Sequence, residues 1–281
     1  MPALAKVAVV IPARYASTRL PGKPLQIIAG KPLVQHVWER CSRAKGIDSV
    51  IVATDDLRIA EAAFAFGAEV AMTSPKHRSG TDRIAEVAKN LKGITHVINV
   101  QGDEPLADPK LISRLATTMA ADRKIEMITS ANPFAPGEDI TNPNLVKVVV
   151  DRTGDALYFS RSPIPYVRGD GVTPTFYRHQ GLYGYTTKLL LQFVRWKPGI
   201  LEQAESLEQL RALENGTKIR VLLTPHAAVG VDTPDDVATV ERLLSSAPGS
   251  PSSSQPRPPK RSSATPKRSA ANPAKKRSVA K

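Results

Sequence analysis

The chain has 281 residues, a formal charge of +13, 41% hydrophobic residues and a single cysteine, Cys41. That length holds one large domain or two small ones with a real core. A lone cysteine excludes an intrachain disulfide, and no apolar run approaches the roughly 20 residues of a membrane span. The run Val7 to Ile11 is too short for the core of a secretory leader and ends at Pro12 and Arg14, so a soluble, cytoplasmic protein is expected. The charge is uneven. Residues 246–281 hold nine Lys and Arg, seven prolines and no Asp or Glu, leaving 30 basic against 26 acidic residues elsewhere. So few apolar side chains cannot offset the entropy of ordering, and a disordered basic tail over 246–281 is expected beside a folded part over 1–245. Its cations suit contact with nucleic acid or an anionic membrane surface, but a solvated appendage without a fixed partner is the simpler reading.

The elements read in chain order as follows. Val7 to Ile11 is a buried strand. Leu33, Val34, Val37, Trp38 and Cys41 follow helical spacing, with Pro32 suited to a first turn. "DSVIVATDD" is a strand with a polar end, Leu57 to Phe66 a helix that Gly67 can close, and "AEVAMT" a third strand. Ser79-Gly80-Thr81-Asp82 can cap a helix running to Lys92, and "THVINVQGDEP" is a strand with an acidic end. A helix over Pro109 to Asp122 and the strand "IEMITSAN" follow. Alternation at this spacing argues for a parallel sheet covered on both faces. Beyond it, "LVKVVVD" and "ALYFSR" flank Arg152-Thr153-Gly154 as a hairpin, and "HQGLYGYTT" is another strand. Helices are expected over Lys188 to Trp196 and Glu202 to Asn215, then the strand "KIRVLL" and a last helix in "VDTPDDVATVERLLSS".

In such sheets ligands sit beyond the carboxyl ends of the strands. Three stretches lie there: the loop "PARYASTRLPGK", "TDD" (Thr54 to Asp56) and "QGDEP" (Gln101 to Pro105). The loop carries Arg14, Arg19 and Lys23, the fork and point-charge donors that hold a polyphosphate. It is neither a Walker A loop, since Pro24 follows Gly22-Lys23, nor a GxGxxG turn; a solvated basic loop stays an equal reading. Asp103 in "QGDEP" suits Mg²⁺, which needs one or two protein carboxylates plus phosphate oxygens. Asp232 in "GVDTPDD" suits the same ion or an ordinary helix N-cap. Arg161, the same-parity pair His179 and Tyr183, and Glu205 with Glu208 or Gln209 on adjacent helical positions can contact an anionic sugar, or simply serve structure.

Taken together and in order, "IPARYASTRLPGKPL", "VATDD", "SGTDRIAEV", "NVQGDEP", "NPNLVKVVVD", "ALYFSRSPIP", "HQGLYGYT", "LEQAESLEQLR" and "GVDTPDDV" closely resemble the 3-deoxy-manno-octulosonate (KDO) cytidylyltransferase family over roughly Val7 to Ser245. The resemblance implies an α/β, Rossmann-like nucleotidyltransferase fold: a mixed, mostly parallel central sheet with a smaller β-rich dimerisation region at about 145–187. It implies CTP and KDO as substrates, Mg²⁺ as cofactor, a homodimer, and CMP-KDO for lipopolysaccharide biosynthesis as the product. By position it places Arg14, Arg19 and Lys23 on the CTP phosphates. Ala13, Ser79 and Gly80 fall at cytosine, and Asp103 and Asp232 on the metal. Gln101, Arg161, His179, Tyr183, Glu208 and Gln209 fall on the sugar. The phosphate cations and the two aspartates form the implied catalytic set. Another acidic sugar, 8-amino-KDO or sialic acid, is the nearest rival, and nucleic-acid binding by the tail would be a second activity.

Overall fold

The structure is a computed structural model that describes residues 5–16, 20–169, 171–225, 227 and 229–246. Residues 1–246 form one compact unit. The expected basic tail lies outside the described residues, apart from Ser246, which ends the last helix.

The first strand, β1 (Val7–Ala13), is apolar on both faces because it lies mid-sheet. Val7, Val9, Ile11 and Ala13 pack on one side, Val10 on the other. Each Val or Ile side chain so buried contributes about 1.5–3 kcal/mol. β1 pairs in parallel with β4 (Ser49–Thr54) and with β6 (His96–Asn99), and β4 pairs in parallel with β5 (Glu69–Met72). A small ribbon, β2 (Ile27–Ile28) with β3 (Lys31–Pro32), precedes α1 (Leu33–Ser42). The crossovers are α1, α2 (Leu57–Ala65) and α3 (Gly80–Asn90); α4 (Pro109–Ala121) then leads to β7 (Met127–Pro133).

In the second half β8 (Lys147–Val150) and β9 (Ala156–Ser160) form the expected hairpin. The Asp151 carboxylate organises its turn, accepting from the backbone N–H groups of Thr153 and Asp155. β10 (Tyr177–Thr186) runs antiparallel between β6 and β7 and carries β8 at its N-terminal end. After α5 (Thr187–Phe193), α6 (Ile200–Glu205) and α7 (Leu210–Glu214), β11 (Ile219–Leu223) pairs in parallel with β7. The final helix is α8 (Pro234–Ser246). The central order is β11-β7-β10-β6-β1-β4-β5, a mixed and mostly parallel sheet as expected.

One expectation fails. The helix foreseen over Glu202 to Asn215 is two helices, broken at Ser206, which adopts left-handed φ of 51°. The cause is distant in sequence. Arg161 at the end of β9 takes the carbonyls of Glu205 (Nε, 2.6 Å) and Ser206 (3.3 Å), which a continuous helix would need for its own ladder.

Candidate active site

The carboxyl ends of β1 and β6 open into a pocket of about 270 Å³ lined by Ala13, Arg14, Lys23, Gln101, Asp103 and Asp232, together with Ser79 and Gly80. The backbone makes this convergence possible at glycines. A Cβ on Gly102 would lie 2.7 Å from the Pro12 carbonyl oxygen, so the chain after β6 can cross the end of β1 only there without a side chain. Ser79 opens α3 with a capping box. Its hydroxyl accepts from Asp82 N (3.1 Å), and the Asp82 carboxylate accepts from Ser79 N (3.3 Å). The positive end of that helix therefore borders the pocket.

The charge centre is built from three segments. Gly22, in the left-handed region at φ 68°, turns the opening loop back on itself, its N–H donating to the Tyr15 carbonyl (3.0 Å). A short 3-10 turn, Lys23–Leu25, follows. The Asp103 carbonyl accepts from Val231 N (2.9 Å), pinning the residue beside Asp232 to the end of β6. Lys23 Nζ then donates to Asp103 Oδ2 (2.6 Å) and to Asp232 Oδ1 (3.0 Å). Burial works against the ammonium charge, but Asp103 and Asp232 outweigh it and hold the Lys23 pKa above its usual range. Next door, burial and then the Asp103 charge push the Glu104 carboxyl up to about 8.

Asp232 is not the cap of α8. Thr233 is: its hydroxyl accepts from Asp236 N (3.3 Å) while Asp236 Oδ2 accepts from Thr233 N (2.8 Å). The capping box one residue later directs Asp232 to Lys23. The two carboxylates are hard oxygen donors facing one cationic position, which an ammonium already fills. Among the described residues no group of three or more His, Cys, Asp and Glu forms a metal cluster. That donor set fits Mg²⁺, which completes its shell with water and phosphate, rather than an all-protein cage.

The remaining expected residues divide. Arg14 is exposed on the pocket wall and, among the described residues, pairs with no carboxylate, whereas Lys23 is committed to the two aspartates rather than held open for phosphate. Arg19 lies outside the described residues. Of "TDD", Asp55 pairs with buried Arg83 (3.2 Å) and Asp56 caps α2, so both serve structure. Gln101 reaches the pocket and lies beside the β10 bulge, its Cγ 3.9 Å from where a Gly181 Cβ would stand. That bulge gives β10 two extra residues between Gln180 and Tyr183, so parity survives and His179 and Tyr183 keep one face, their rings 5.4 Å apart. Buried Thr129 plugs the bulge, its hydroxyl donating to the Leu182 carbonyl (2.8 Å) and lying 2.9 Å from His179 Nε2. Burial brings the His179 pKa down to about 3.

Glu208 is partly buried and accepts from the Thr81 hydroxyl in the first turn of α3. Burial raises its pKa against the pull of Thr81, Ser79 and Arg211. It lines a groove that shares Arg78 and Ser79 with the main pocket. Gln209 is buried just before α7. Because the helix breaks at Ser206, Glu205 is not beside Glu208. Its carboxylate accepts from the Ser160 hydroxyl (2.7 Å) and from Arg161 N (2.9 Å). Arg161, expected to meet a sugar carboxylate, is spent on the carbonyls of Pro143 (2.8 Å), Glu205 and Ser206. His77 and Arg78 on the pocket wall escaped the sequence reading. Their one signal was position, immediately before the capping serine.

A family model for cytidylyltransferases matches residues 8–219. The 3-deoxy-manno-octulosonate cytidylyltransferase of Syntrophobacter fumaroxidans is 50% identical over 242 residues, covering 85% of this chain and 97% of its own. The protein of the same name from Geobacter metallireducens is 51% identical over 250 residues, covering 85% and 98%. A solved structure of CMP:2-keto-3-deoxy-manno-octonic acid synthetase complexed with CTP aligns with a TM-score of 0.82 at 43% identity, covering 86% of this chain and 99% of that one. The 4-diphosphocytidyl-2C-methyl-D-erythritol synthase of Anaerococcus prevotii, at 16% identity and a TM-score of 0.59 over 86% and 99% of the two chains, shares the fold. With about half its residues in common with proteins it spans almost end to end, the chain belongs to the 3-deoxy-manno-octulosonate cytidylyltransferase family.

Proposed function

We propose that this protein transfers CMP from CTP to KDO, releasing pyrophosphate and giving CMP-KDO for lipopolysaccharide biosynthesis. The observation that carries the reading is the convergence of Asp103 and Asp232 on one cation in a pocket at the carboxyl ends of β1 and β6, in a chain so similar to a synthetase solved with CTP. Direct attack of the sugar's anomeric hydroxyl on the α-phosphorus needs no covalent protein intermediate. Cys41 is buried and its thiol is raised far out of the nucleophilic range, first by burial and then by Glu104. Arg14, Arg19 and Lys23 take the triphosphate and stabilise charge building on pyrophosphate. Ala13, Ser79 and Gly80 border the base, and Gln101, His179, Tyr183, Glu208 and Gln209 orient the sugar. Holding the two substrates in line supplies up to roughly 7–11 kcal/mol of the barrier reduction. Asp103 and Asp232 would hold Mg²⁺, which supplies positive charge to the phosphates.

The reading extends to a homodimer formed through the region at about 145–187. Support comes from Tyr166 and Val172, 87% and 75% exposed apolar side chains in the loop between β9 and β10. It also takes residues 1–245 as the catalytic domain, 246–281 as a separate tail, and the cytoplasm as the compartment. No described helix is long and apolar enough to cross a membrane. Incubating the full chain with each of the four nucleoside triphosphates, Mg²⁺ and KDO tests the chemistry. Pyrophosphate is expected with CTP alone, and only when sugar is present; its absence with CTP and KDO overturns the reading.

A further inference from the structure

The cation between Asp103 and Asp232 belongs to the protein itself. Both carboxylates are placed by backbone: Asp103 by the close crossing at Gly102, and Asp232 by the Val231 bond to the Asp103 carbonyl and by the capping box at Thr233. Lys23 has a main chain equally fixed, in the turn after Gly22, where Leu25 N donates to the Gly22 carbonyl (2.8 Å) and Gln26 N to that of Lys23 (3.0 Å). Its four-carbon stem is the adjustable part. At 2.6 and 3.0 Å from the two oxygens, the ammonium fills the space between the carboxylates that a divalent cation held by both would need. The two cannot share that position.

We propose that Lys23 is a displaceable internal counter-ion that keeps the divalent-cation site closed until a nucleoside triphosphate arrives and draws the ammonium onto its phosphates. The inference rests on the reading of Asp103 and Asp232 as metal ligands and adds to it an order of events. Without nucleotide, an incoming metal must drive Lys23 from its only two ion-pair partners among the described residues. With nucleotide, the displaced ammonium gains phosphate oxygens, and the metal gains the ligands that two carboxylates leave missing. Metal and triphosphate therefore bind with positive coupling, and each tightens the other by the same factor. A further consequence is that bare divalent cation is held weakly by the resting protein.

The test measures Mn²⁺ binding to the full-length protein by the electron paramagnetic resonance of the free ion, with and without CTP. Lys23→Met keeps the stem and removes the charge. It is expected to bind Mn²⁺ alone roughly 5- to 150-fold more tightly than wild type, and to lose a matching part of the tightening that CTP confers. Lys23→Gln, which keeps a polar head, carries the same comparison should the methionine variant fold poorly. Thermal unfolding supplies a second readout: Mg²⁺ alone should raise the midpoint of either variant more than that of wild type. Equal Mn²⁺ affinity in wild type and both variants, with binding still abolished by Asp103→Asn, overturns the counter-ion and leaves the metal ligands standing. Binding that survives both Asp103→Asn and Asp232→Asn overturns the metal reading itself.

Discussion

Two lysines in this molecule meet opposite fates. Lys23 borders the pocket and answers two carboxylates. Lys147 on β8 is fully buried and, among the described residues, donates only to carbonyls, those of Asn142 (2.9 Å) and Arg161 (2.5 Å). Burial lowers the Lys147 pKa, whereas the aspartates raise that of Lys23. Arg161 belongs with Lys147: its guanidinium ties three carbonyls from two further segments. The difference lies in what a ligand can exchange. A cation facing carboxylates at the mouth of a pocket can trade them for phosphate or be replaced by metal. A cation bonded to part-buried backbone carbonyls instead ties segments together, and those oxygens lose a donor when it leaves. Charge at the pocket is therefore expected to govern turnover, and charge in the clasp to govern stability.

The largest expected effect breaks the pocket side of that contrast. Asp103→Asn and Asp232→Asn each remove a charge that holds the metal and should cut turnover about 100-fold or more, given the several kcal/mol such charge supplies at the transition state. The urea midpoint should change little, since Lys23 keeps its other aspartate. Turnover near wild type at limiting Mg²⁺ would remove that residue from the metal site.

Arg161→Ala probes the clasp, with an expected loss of about 2 kcal/mol in urea unfolding from the carbonyls it abandons. Because those carbonyls fix the break at Ser206, and with it the approach of Glu208 to Thr81, KM for the sugar should rise more than KM for CTP. A raised sugar KM with unchanged stability would instead mean that the guanidinium leaves the clasp to bind the sugar, as the family resemblance implies. Unequal effects in the reverse order would place it at the nucleotide.

Local pattern dictates part of this arrangement, and chain topology dictates the rest. Strand alternation, the capping box at Ser79 and the acidic strand end at Asp103 are written in neighbouring residues, and all three appear where local pattern puts them. The break at Ser206 is not local. "LEQAESLEQLR" is a good helical pattern, and only Arg161, 45 residues upstream, removes the carbonyls it needs. Asp232 and Thr233 are both good caps one residue apart, and only the position of Asp236 gives the cap to Thr233. That Lys23 would lie between two aspartates, 80 and 209 residues away, is a product of topology. Residue type alone pointed to a phosphate clamp.

The smallest expected effect concerns His179, a group that belongs to neither cluster but shares a face with Tyr183. Burial holds its folded pKa near 3, against about 6.5 in the unfolded chain. Between those values the unfolded chain binds a proton that the folded one refuses. The stability contributed by the neutral ring is thus fully present above pH 6.5 and is lost as pH falls toward 3. His179→Gln removes the titration while leaving an amide able to meet the Thr129 hydroxyl, which lies 2.9 Å from the ring nitrogen in wild type. In urea unfolding, wild type should lose about 1–2 kcal/mol more than the variant between pH 7.5 and 5.5. Parallel profiles would mean that the ring accepts a proton without resistance, and that its face of the sheet is wetter than the packing against Phe159 and Tyr183 implies.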